Sequence, residues 1–249
     1  MNKLNIIFRT CDVVDSIHGT GRPFGLTKKE VVDVCFSSLI NSLNKTKGTY
    51  IGGISHNLYI IGDKLSEERI EYLKPHATKI YNGDLGNAKS ITETFNLAST
   101  LNDNDWVYFC EDDYLHTPEA ITYLYELLIN NEQYLKDFKN KDLFIHPADY
   151  PDRYDRSEDF YNKWHLIISK GCHWRQIYNT TYTFLCSVKS FKKYRDIFMK
   201  SAVNWNDGLF SEHVYKRDDV LCVSPMPSLA CHMHEVAMSP LVDWKKLIE

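Results

Sequence analysis

Three adjacent carboxylates, Glu111, Asp112 and Asp113, directly follow the apolar and aromatic run WVYFC at 106–110. Carboxylates this close together repel one another and raise one another's pKa unless a cation or the start of a helix compensates them. Hard oxygen ligands of this kind suit Mg²⁺ or Mn²⁺. The stretch therefore predicts a divalent-cation site that neutralises a diphosphate, with the alternative that these are acids at an ordinary strand exit.

Two histidines, His232 and His234, lie near the C-terminus in the segment CHMHE. Residues two apart in an extended segment point to the same face, so both imidazoles are candidate metal ligands. The alternative is that one ring packs in the core and the other is solvated. Carboxylate and imidazole ligands together favour Mn²⁺ over Mg²⁺. We expect His232 to be the stronger ligand because it directly follows the apolar run SLAC at 228–231.

The first half of the chain alternates short apolar runs with segments of helical periodicity. The predicted strands are 4–8, 57–63, one that begins near 78, and 106–110. Four helices are predicted. The first follows the capping box at 27–30, the second lies near 67–73, and the third buries Ile91, Phe95 and Ala98. The fourth begins after 117, with Thr117 as N-cap and Pro118 at the first position. Strict alternation of this kind predicts a parallel sheet with crossover helices.

Polar side chains follow each predicted strand of that sheet. They are Arg9 and Thr10, Asp63, the loop at 83–87, and the acids at 111–113. Ligands of parallel sheets bind at the carboxyl ends of the strands. The clustering of polar groups at these ends predicts a binding site along one edge of the sheet.

The second half has a mixed pattern. A strand at 143 leads into a long aromatic and charged loop that reaches Trp164, and further extended segments are predicted at 178–187, 219–225 and 228–235. A loop and a short helix are predicted at 203–216. Because no linker or repeat interrupts the chain, we expect one α/β domain over 1–249.

Composition excludes several classes of protein. The chain has 249 residues and a net charge of −4, which gives no reason to expect a nucleic-acid partner. No apolar run approaches the roughly 18 residues of a membrane span, and the apolar part of the N-terminus is too short for a signal peptide. A cytoplasmic protein is expected. The seven cysteines, an odd number without a Cys-x-x-Cys pair, are predicted to be reduced core thiols.

The order of these features resembles an inverting, family-2-like glycosyltransferase of the GT-A fold. The chain has four features in the order in which that fold has them: a strand followed by Arg-Thr, a strand ending in Asp, a Gly/Asn loop, and a strand ending in EDD. EDD stands where the fold keeps its Asp-x-Asp metal motif, and the late histidine resembles a third metal contact. The resemblance implies a single GT-A-like domain over 1–249 with a mainly parallel Rossmann-like sheet flanked by helices. It further implies a nucleotide-binding half at 1–115 and an acceptor-binding half at 116–249.

The resemblance also implies roles for single residues. Arg9 and Thr10 would meet the nucleoside, and Asp63 would accept a hydrogen bond from the base, which suits the N–H of uracil and hence a UDP-sugar donor. The ribose or diphosphate would be approached by Asn87 and Lys89. The cation would be held by Asp113 with the histidines, beside donor contacts from Glu111 and Asp112.

The catalytic base is the point at which the chain departs from the family pattern, because a clear Glu-Asp pair is missing and NDG and SEH stand instead. Asp207 is the candidate base that takes the proton of the acceptor hydroxyl, and Glu212 is the alternative. Asp207 is equally a candidate N-cap for the short apolar pattern that follows it. The long loop that ends at Trp164 is a second departure and leaves the acceptor open.

Three tryptophans in polar, loop-like contexts, Trp164, Trp174 and Trp205, are candidates for stacking on an acceptor sugar, with buried packing as the alternative. The leading function is metal-dependent transfer of a sugar from a nucleotide diphosphate to a hydroxyl of a glycan or similar acceptor. Two alternatives stay open. One is a metal-dependent phosphoesterase that uses Asp112, Asp113 and the two histidines; the other is a non-catalytic domain that binds nucleotide sugars or glycans.

Overall fold

One mixed sheet of nine strands organises the computed structural model, which describes residues 2–12, 21–50, 53–154 and 165–249. The strands are β1 (Leu4–Cys11), β2 (His56–Asp63), β3 (Lys79–Gly83), β4 (Trp106–Glu111), β5 (Tyr114–His116), β6 (Asp142–Ile145), β7 (Leu166–Ile168), β8 (His173–Ile177), β9 (Phe184–Ser187), β10 (Val220–Met226) and β11 (Ala230–His232). The large sheet has the order β3-β2-β1-β4-β9-β6-β10-β8-β7, and β5 pairs with β11 in a separate ribbon.

Helices flank this sheet and connect its strands. They are α1 (Lys28–Thr49), α2 (Glu67–Leu73), α3 (Gly86–Ser99), α4 (Ala120–Ile129), α5 (Asn131–Tyr134), α6 (Val188–Lys193), α7 (Arg195–Asn204) and α8 (Gly208–Phe210), and a π-helical turn follows at Ser211–Tyr215. Among the described helices, none combines the length and the apolar character that crossing a membrane requires. All seven cysteines are free thiols and six are buried, as predicted.

The predicted α/β class with a parallel first half is confirmed. Strands β3, β2, β1 and β4 are parallel neighbours. Strand β1 is buried along almost its whole length, which is typical of a central parallel strand covered on both faces. Beyond β4 the sheet becomes mixed, because β9 runs antiparallel to both β4 and β6. The sheet is therefore continuous across the two halves expected from the sequence.

Helix α1 begins where the capping box predicts. The Thr27 hydroxyl accepts the backbone N–H of Glu30, and the Glu30 carboxylate accepts the backbone N–H of Thr27. The buried face of the helix carries the apolar residues that recur at helical spacing, and it packs into the larger of the two main core clusters. This fixes the first residue of the helix, Lys28, next to the carboxyl end of β1.

Two details of the sequence prediction are wrong. Helix α4 begins at Ala120 with Glu119 as N-cap and no side-chain capping bond, not after Thr117. The Thr117 backbone N–H instead donates to the carbonyl of Leu229 at 2.9 Å, which extends the β5–β11 pairing by one residue. Of the residues 178–187 predicted to form a strand, only the last four do so, as β9. Just before β9 begins, the Thr183 hydroxyl accepts the backbone N–H of Glu111 at 3.0 Å in place of a backbone carbonyl.

Candidate functional site

The carboxyl edge of the parallel strands brings most of the predicted site residues together. In the sheet register Arg9 lies beside Glu111, and Cys11 lies beside Asp63. The chain enters α3 just beyond the end of β3, so that Asn87 reaches the same edge. This placement follows from topology, because parallel strands all end on the same side of a sheet.

Glu111 is compensated by Arg9. The Arg9 Nη2 lies 2.5 Å from the Glu111 Oε1, and the Thr183 hydroxyl donates to the Glu111 Oε2 at 3.3 Å. Burial raises the pKa of Glu111 above its ordinary value, although the positive charge of Arg9 opposes this. The other guanidinium nitrogen of Arg9 donates to the Asn87 Oδ1 at 2.9 Å. Arg9 therefore links three of the elements that end at this edge.

Asp112 is compensated by Lys28, which the sequence reasoning missed. The Lys28 Nζ lies 2.5 Å from the Asp112 Oδ1, while the Oδ2 accepts the Thr10 hydroxyl at 2.9 Å and the Cys11 backbone N–H at 3.2 Å. Burial lowers the pKa of Lys28, but Asp112 and Asp113 outweigh burial and the net pKa is raised. A lysine at the first position of a helix opposes the macrodipole, and that position is the signal that could have pointed to an anionic partner.

Thr10 and Asp112 consequently have internal partners rather than free polar groups. Thr10 is 2% exposed, and its hydroxyl donates a hydrogen bond to the Asp112 carboxylate. Asp112 itself is 6% exposed. Their side chains tie the end of β1 to the turn after β4 and to α1. The predicted contacts of these two residues with a nucleotide stay predictions, and the geometry gives both side chains a structural role.

Asp113 meets His232 at the short ribbon. Strand β11 pairs antiparallel with β5, so that His232 lies opposite Tyr114, the residue after Asp113. The His232 Nε2 lies 3.3 Å from the Asp113 Oδ2, and the Asp113 carbonyl accepts the Met233 backbone N–H at 2.7 Å. The contact brings the two residues together in one site, and their binding of a metal stays a prediction.

The charges of this pair reinforce each other. Burial raises the pKa of Asp113, but the charge and hydrogen bond of His232 outweigh burial, so the net pKa is well below the ordinary value. Burial lowers the pKa of His232, but Asp113 reverses this and the net pKa is raised. The second carboxylate oxygen of Asp113, Oδ1, is buried without a hydrogen-bond partner. A buried, unpaired carboxylate oxygen beside an imidazole nitrogen fits the donor set of a divalent cation.

His234 lies next to His232, with ring centroids 5.8 Å apart, but the segment is not extended between them: β11 ends at His232, and the His234 backbone N–H donates to the His232 carbonyl at 2.8 Å in a tight turn. Across the described ranges, however, no three His, Cys, Asp or Glu side chains are grouped so that they could hold one metal ion. The predicted ligand set of Asp113, His232 and His234 is therefore not assembled as a unit. Asp113 and His232 are in direct contact, with Oδ2 and Nε2 3.3 Å apart.

The remaining predicted donor contacts lie around the start of α3. The Asp63 Oδ1 accepts the Leu85 backbone N–H at 2.7 Å, which orients the turn into the helix. Asn87 is exposed and shares its amide oxygen with Arg9. Lys89 is exposed in the first turn of the helix. These residues line the same edge as the acids, and their roles toward a ligand stay predictions.

Asp207 and Glu212 differ sharply in environment. Asp207 immediately precedes α8, yet its side chain makes no capping hydrogen bond. Burial raises the pKa of Asp207, although hydrogen bonds from the backbone N–H groups of Asp207 and Gly208, and to a smaller extent the charge of His232, oppose this. Glu212 is 64% exposed, and its carboxylate lies 3.6 Å from the His213 imidazole. Of the two candidate bases, Asp207 is the partly buried carboxylate within electrostatic reach of the site.

The three tryptophans separate clearly. Trp174 is fully buried, so stacking on a sugar is wrong for this residue and core packing is correct. Trp205 is 57% exposed and stands two residues before Asp207 with a left-handed backbone. Trp164 lies outside the described residues. Trp205 is therefore the candidate that keeps an accessible aromatic face.

The sequence matches no protein-family model and no curated protein. Solved structures with a similar fold include TarS 1–349 of S. aureus, at 13% identity and a TM-score of 0.48 over 89% of this chain and 60% of that one. The galactosyltransferase LgtC, with donor and acceptor sugar analogues, is 10% identical with a TM-score of 0.47 over 88% and 72% of the two chains. A nucleotidyl transferase of Methanothermobacter is 9% identical with a TM-score of 0.44 over 89% and 85%.

These likenesses concern the fold alone. The fold is similar to that of glycosyltransferases of the GT-A type, as expected, and it is also similar to that of a nucleotidyltransferase. TarS 1–349 has also been solved in complex with UDP. This chain spans 60% of that TarS fragment and 35% of a longer TarS chain. No residue assignment in this protein rests on these neighbours.

Proposed function

We propose that this protein is a metal-dependent glycosyltransferase that moves a sugar from a nucleotide diphosphate sugar, a UDP-sugar first, to a hydroxyl of a glycan or similar acceptor with inversion. The observation that carries the proposal is the Asp113–His232 pair at the carboxyl edge of the sheet. Its buried Oδ1 is unpaired, and its imidazole Nε2 lies 3.3 Å from the other carboxylate oxygen. A site of this kind is chemically suited to Mn²⁺, with Mg²⁺ as the alternative.

Asp113 and His232 would hold the cation, and His234, whose ring centroid lies 5.8 Å from that of His232, is the weaker candidate ligand. Bound Mn²⁺ supplies positive charge beside a departing diphosphate. Glu111, fixed by Arg9, faces the same region and would contact the donor sugar or an ordered water. This division leaves Asp112 to hold the loop and Asp113 to act on the ligand.

Asp207 would act as the general base. The bond between the anomeric carbon and the diphosphate oxygen breaks as the acceptor oxygen bonds to that carbon from the opposite face. The proton of the acceptor hydroxyl passes to the Asp207 carboxylate, and the nucleoside diphosphate leaves with the electron pair of the broken bond. A raised pKa suits this role because a base works best when its pKa approaches the working pH.

A phosphoesterase is less well supported by the same geometry. That function would use Asp112, Asp113, His232 and His234 to hold one or two ions. Both Asp112 oxygens already accept hydrogen bonds, from Lys28 on one side and from Thr10 and Cys11 on the other. One of the four supposed ligands is thus engaged in holding the fold.

Incubation with a panel of nucleotide sugars, Mn²⁺ and a glycan acceptor library tests the proposal, with products followed by mass spectrometry. We expect an acceptor product heavier by one sugar, together with free UDP, and no product when EDTA replaces Mn²⁺. Release of phosphate without acceptor would indicate the phosphoesterase. Binding of donor and metal with no turnover would indicate a non-catalytic binding domain. Transfer of a nucleotidyl group would also overturn the proposal.

A further inference from the structure

The imidazole of His232 is held by three contacts, two of which lie outside the proposed cation pair with Asp113. Its ring is stacked on Tyr114, with centroids 5.0 Å apart and planes 8° from parallel. Its Nε2 faces Asp113, and its Nδ1 lies 3.2 Å from the Tyr150 hydroxyl. From these contacts, and resting on the proposed function, we propose that Tyr150 is a positioning residue that fixes His232 with its Nε2 directed at Asp113, where the cation would bind.

Hydroxyl groups continue this contact into the protein. The Tyr150 hydroxyl lies 2.5 Å from the Tyr114 hydroxyl, which lies 2.7 Å from the Thr181 Oγ1. A cation on Nε2 requires the proton of a neutral imidazole to sit on Nδ1. These hydroxyl groups can then all donate hydrogen bonds in the same direction. The His232 Nδ1–H donates to Tyr150, Tyr150 donates to Tyr114, and Tyr114 donates to Thr181. A partner on the second ring nitrogen is the usual way in which a ligating histidine is oriented.

Tyr150 is itself held rigidly. The Arg153 guanidinium lies over its ring at 5.2 Å, and the preceding residue, Asp149, is fully buried. The Asp149 carboxylate pairs with Arg175 and accepts the Ser224 hydroxyl at 3.2 Å. Buried charges are costly unless they are paired in this way, and such pairs hold a backbone in one arrangement. The ion cluster therefore anchors the turn that carries Tyr150 next to His232.

Variants that each lack one hydroxyl test the proposal. The affinity of the full chain for Mn²⁺ is measured by EPR in the absence of nucleotide. Tyr150→Phe keeps the ring and should weaken Mn²⁺ binding by about 10–100-fold. Tyr114→Phe keeps the stacking ring and should have a smaller effect. Tyr134→Phe, which removes a hydroxyl bonded to Glu126 at 2.9 Å elsewhere in the fold, should bind as wild type.

A spectroscopic signature separates positioning from a general loss of structure. In protein loaded with diamagnetic Zn²⁺, the His232 Nδ1 proton should be slow to exchange and visible by NMR in wild type, and should be lost in Tyr150→Phe. Equal Mn²⁺ affinity in Tyr150→Phe and wild type would overturn this inference while leaving the proposed function intact. Equal weakening in all three variants would also overturn it. Failure of wild type to bind Mn²⁺ would overturn the proposed cation site as well.

Discussion

The His232 Nε2 lies 3.3 Å from the Asp113 Oδ2 across a ribbon that joins the last strand of the chain to the turn after β4. The neighbouring acids have partners of their own, since Glu111 pairs with Arg9 and Asp112 with Lys28. Each of the three carboxylates therefore faces a different basic side chain. Of the three, Asp113 is the one with a buried oxygen left unpaired, which makes it the point at which a ligand would bind.

Asp112 should matter for stability more than for ligand binding. Asp112→Asn leaves the largely shielded Lys28, whose side chain is 16% exposed, without its nearest counter-charge and should lower the free energy of unfolding by about 3 kcal/mol. Urea denaturation measures this, with the exposed Glu212→Gln as control, which should change stability by less than about 0.5 kcal/mol. Wild-type stability in Asp112→Asn would show that Lys28 does not depend on this carboxylate.

The Asp113–His232 pair should make metal-free stability depend on pH. The raised pKa of His232 contributes stability below its unfolded value of about 6.5, and this is lost as pH rises through the folded pKa. The lowered pKa of Asp113 contributes above about 3.9 and is lost as pH falls through the folded pKa. The difference in unfolding free energy between wild type and Asp113→Asn should therefore be largest between about pH 4 and 6.5.

NMR titration of the metal-free protein checks the same pair directly. The pKa of His232 should lie above the ordinary histidine range in wild type and fall in Asp113→Asn, where burial is no longer opposed by that charge. An unchanged His232 pKa in the variant would contradict the pairing. Cation binding must displace the Nε2 proton, so Mn²⁺ affinity should increase with pH through this range.

Asp207 should affect turnover and leave donor binding nearly unchanged. Asp207→Asn should reduce kcat by about 10²–10⁴-fold, the usual cost of losing a general base. The matched change Glu212→Gln should have little effect, because Glu212 is exposed and lies beside His213. An α-linked sugar nucleotide should give a β-linked product. Retention of the α-linkage in the product's NMR spectrum would refute the base, and inversion with full activity in Asp207→Asn would move the role to Glu212.

The nucleotide preference should follow from Asp63. One oxygen of this carboxylate accepts the Leu85 N–H, so the other is the candidate acceptor for the uracil N3–H. UDP should outcompete GDP, ADP and CDP in calorimetric titrations with Mn²⁺. Asp63→Asn keeps an oxygen for Leu85 but presents an NH₂ group, so UDP affinity should fall and CDP should gain relative to UDP. A preference for GDP in wild type would remove the uridine assignment while keeping the transferase.

The sequence predicted the parallel half well because its signals are local. Apolar runs ending in polar residues predicted β1, β2 and β4, and topology then required Arg9, Asp63 and the acids to share one edge. The partners of the acids could not be predicted in the same way. Lys28 and Asp112 lie 84 positions apart, and Tyr150 and His232 lie 82 positions apart. Such contacts depend on how the helices and the second-half loops pack.

The local errors have the same origin. Thr117 is of a residue type favoured at N-caps, yet its hydroxyl accepts no capping hydrogen bond, its backbone N–H pairs with Leu229, and the helix begins at Ala120. The β-branched residues at 180–183 have strand propensity, yet the Thr183 side chain bonds to the end of β4. In both cases a hydrogen bond to a residue distant in sequence fixes the backbone where local propensity alone predicts regular structure.

Titration of Mn²⁺ with wild type and Asp113→Asn, followed by EPR with and without UDP, tests the central claim most directly. Wild type should bind one Mn²⁺ per chain more tightly when UDP is present, because the cation and the diphosphate would share the Asp113–His232 site. Asp113→Asn should remain folded, as judged by cooperative thermal unfolding, and should lose UDP-dependent Mn²⁺ binding because an amide oxygen cannot replace the lost charge. Wild-type binding of Mn²⁺ and UDP by folded Asp113→Asn would contradict the account.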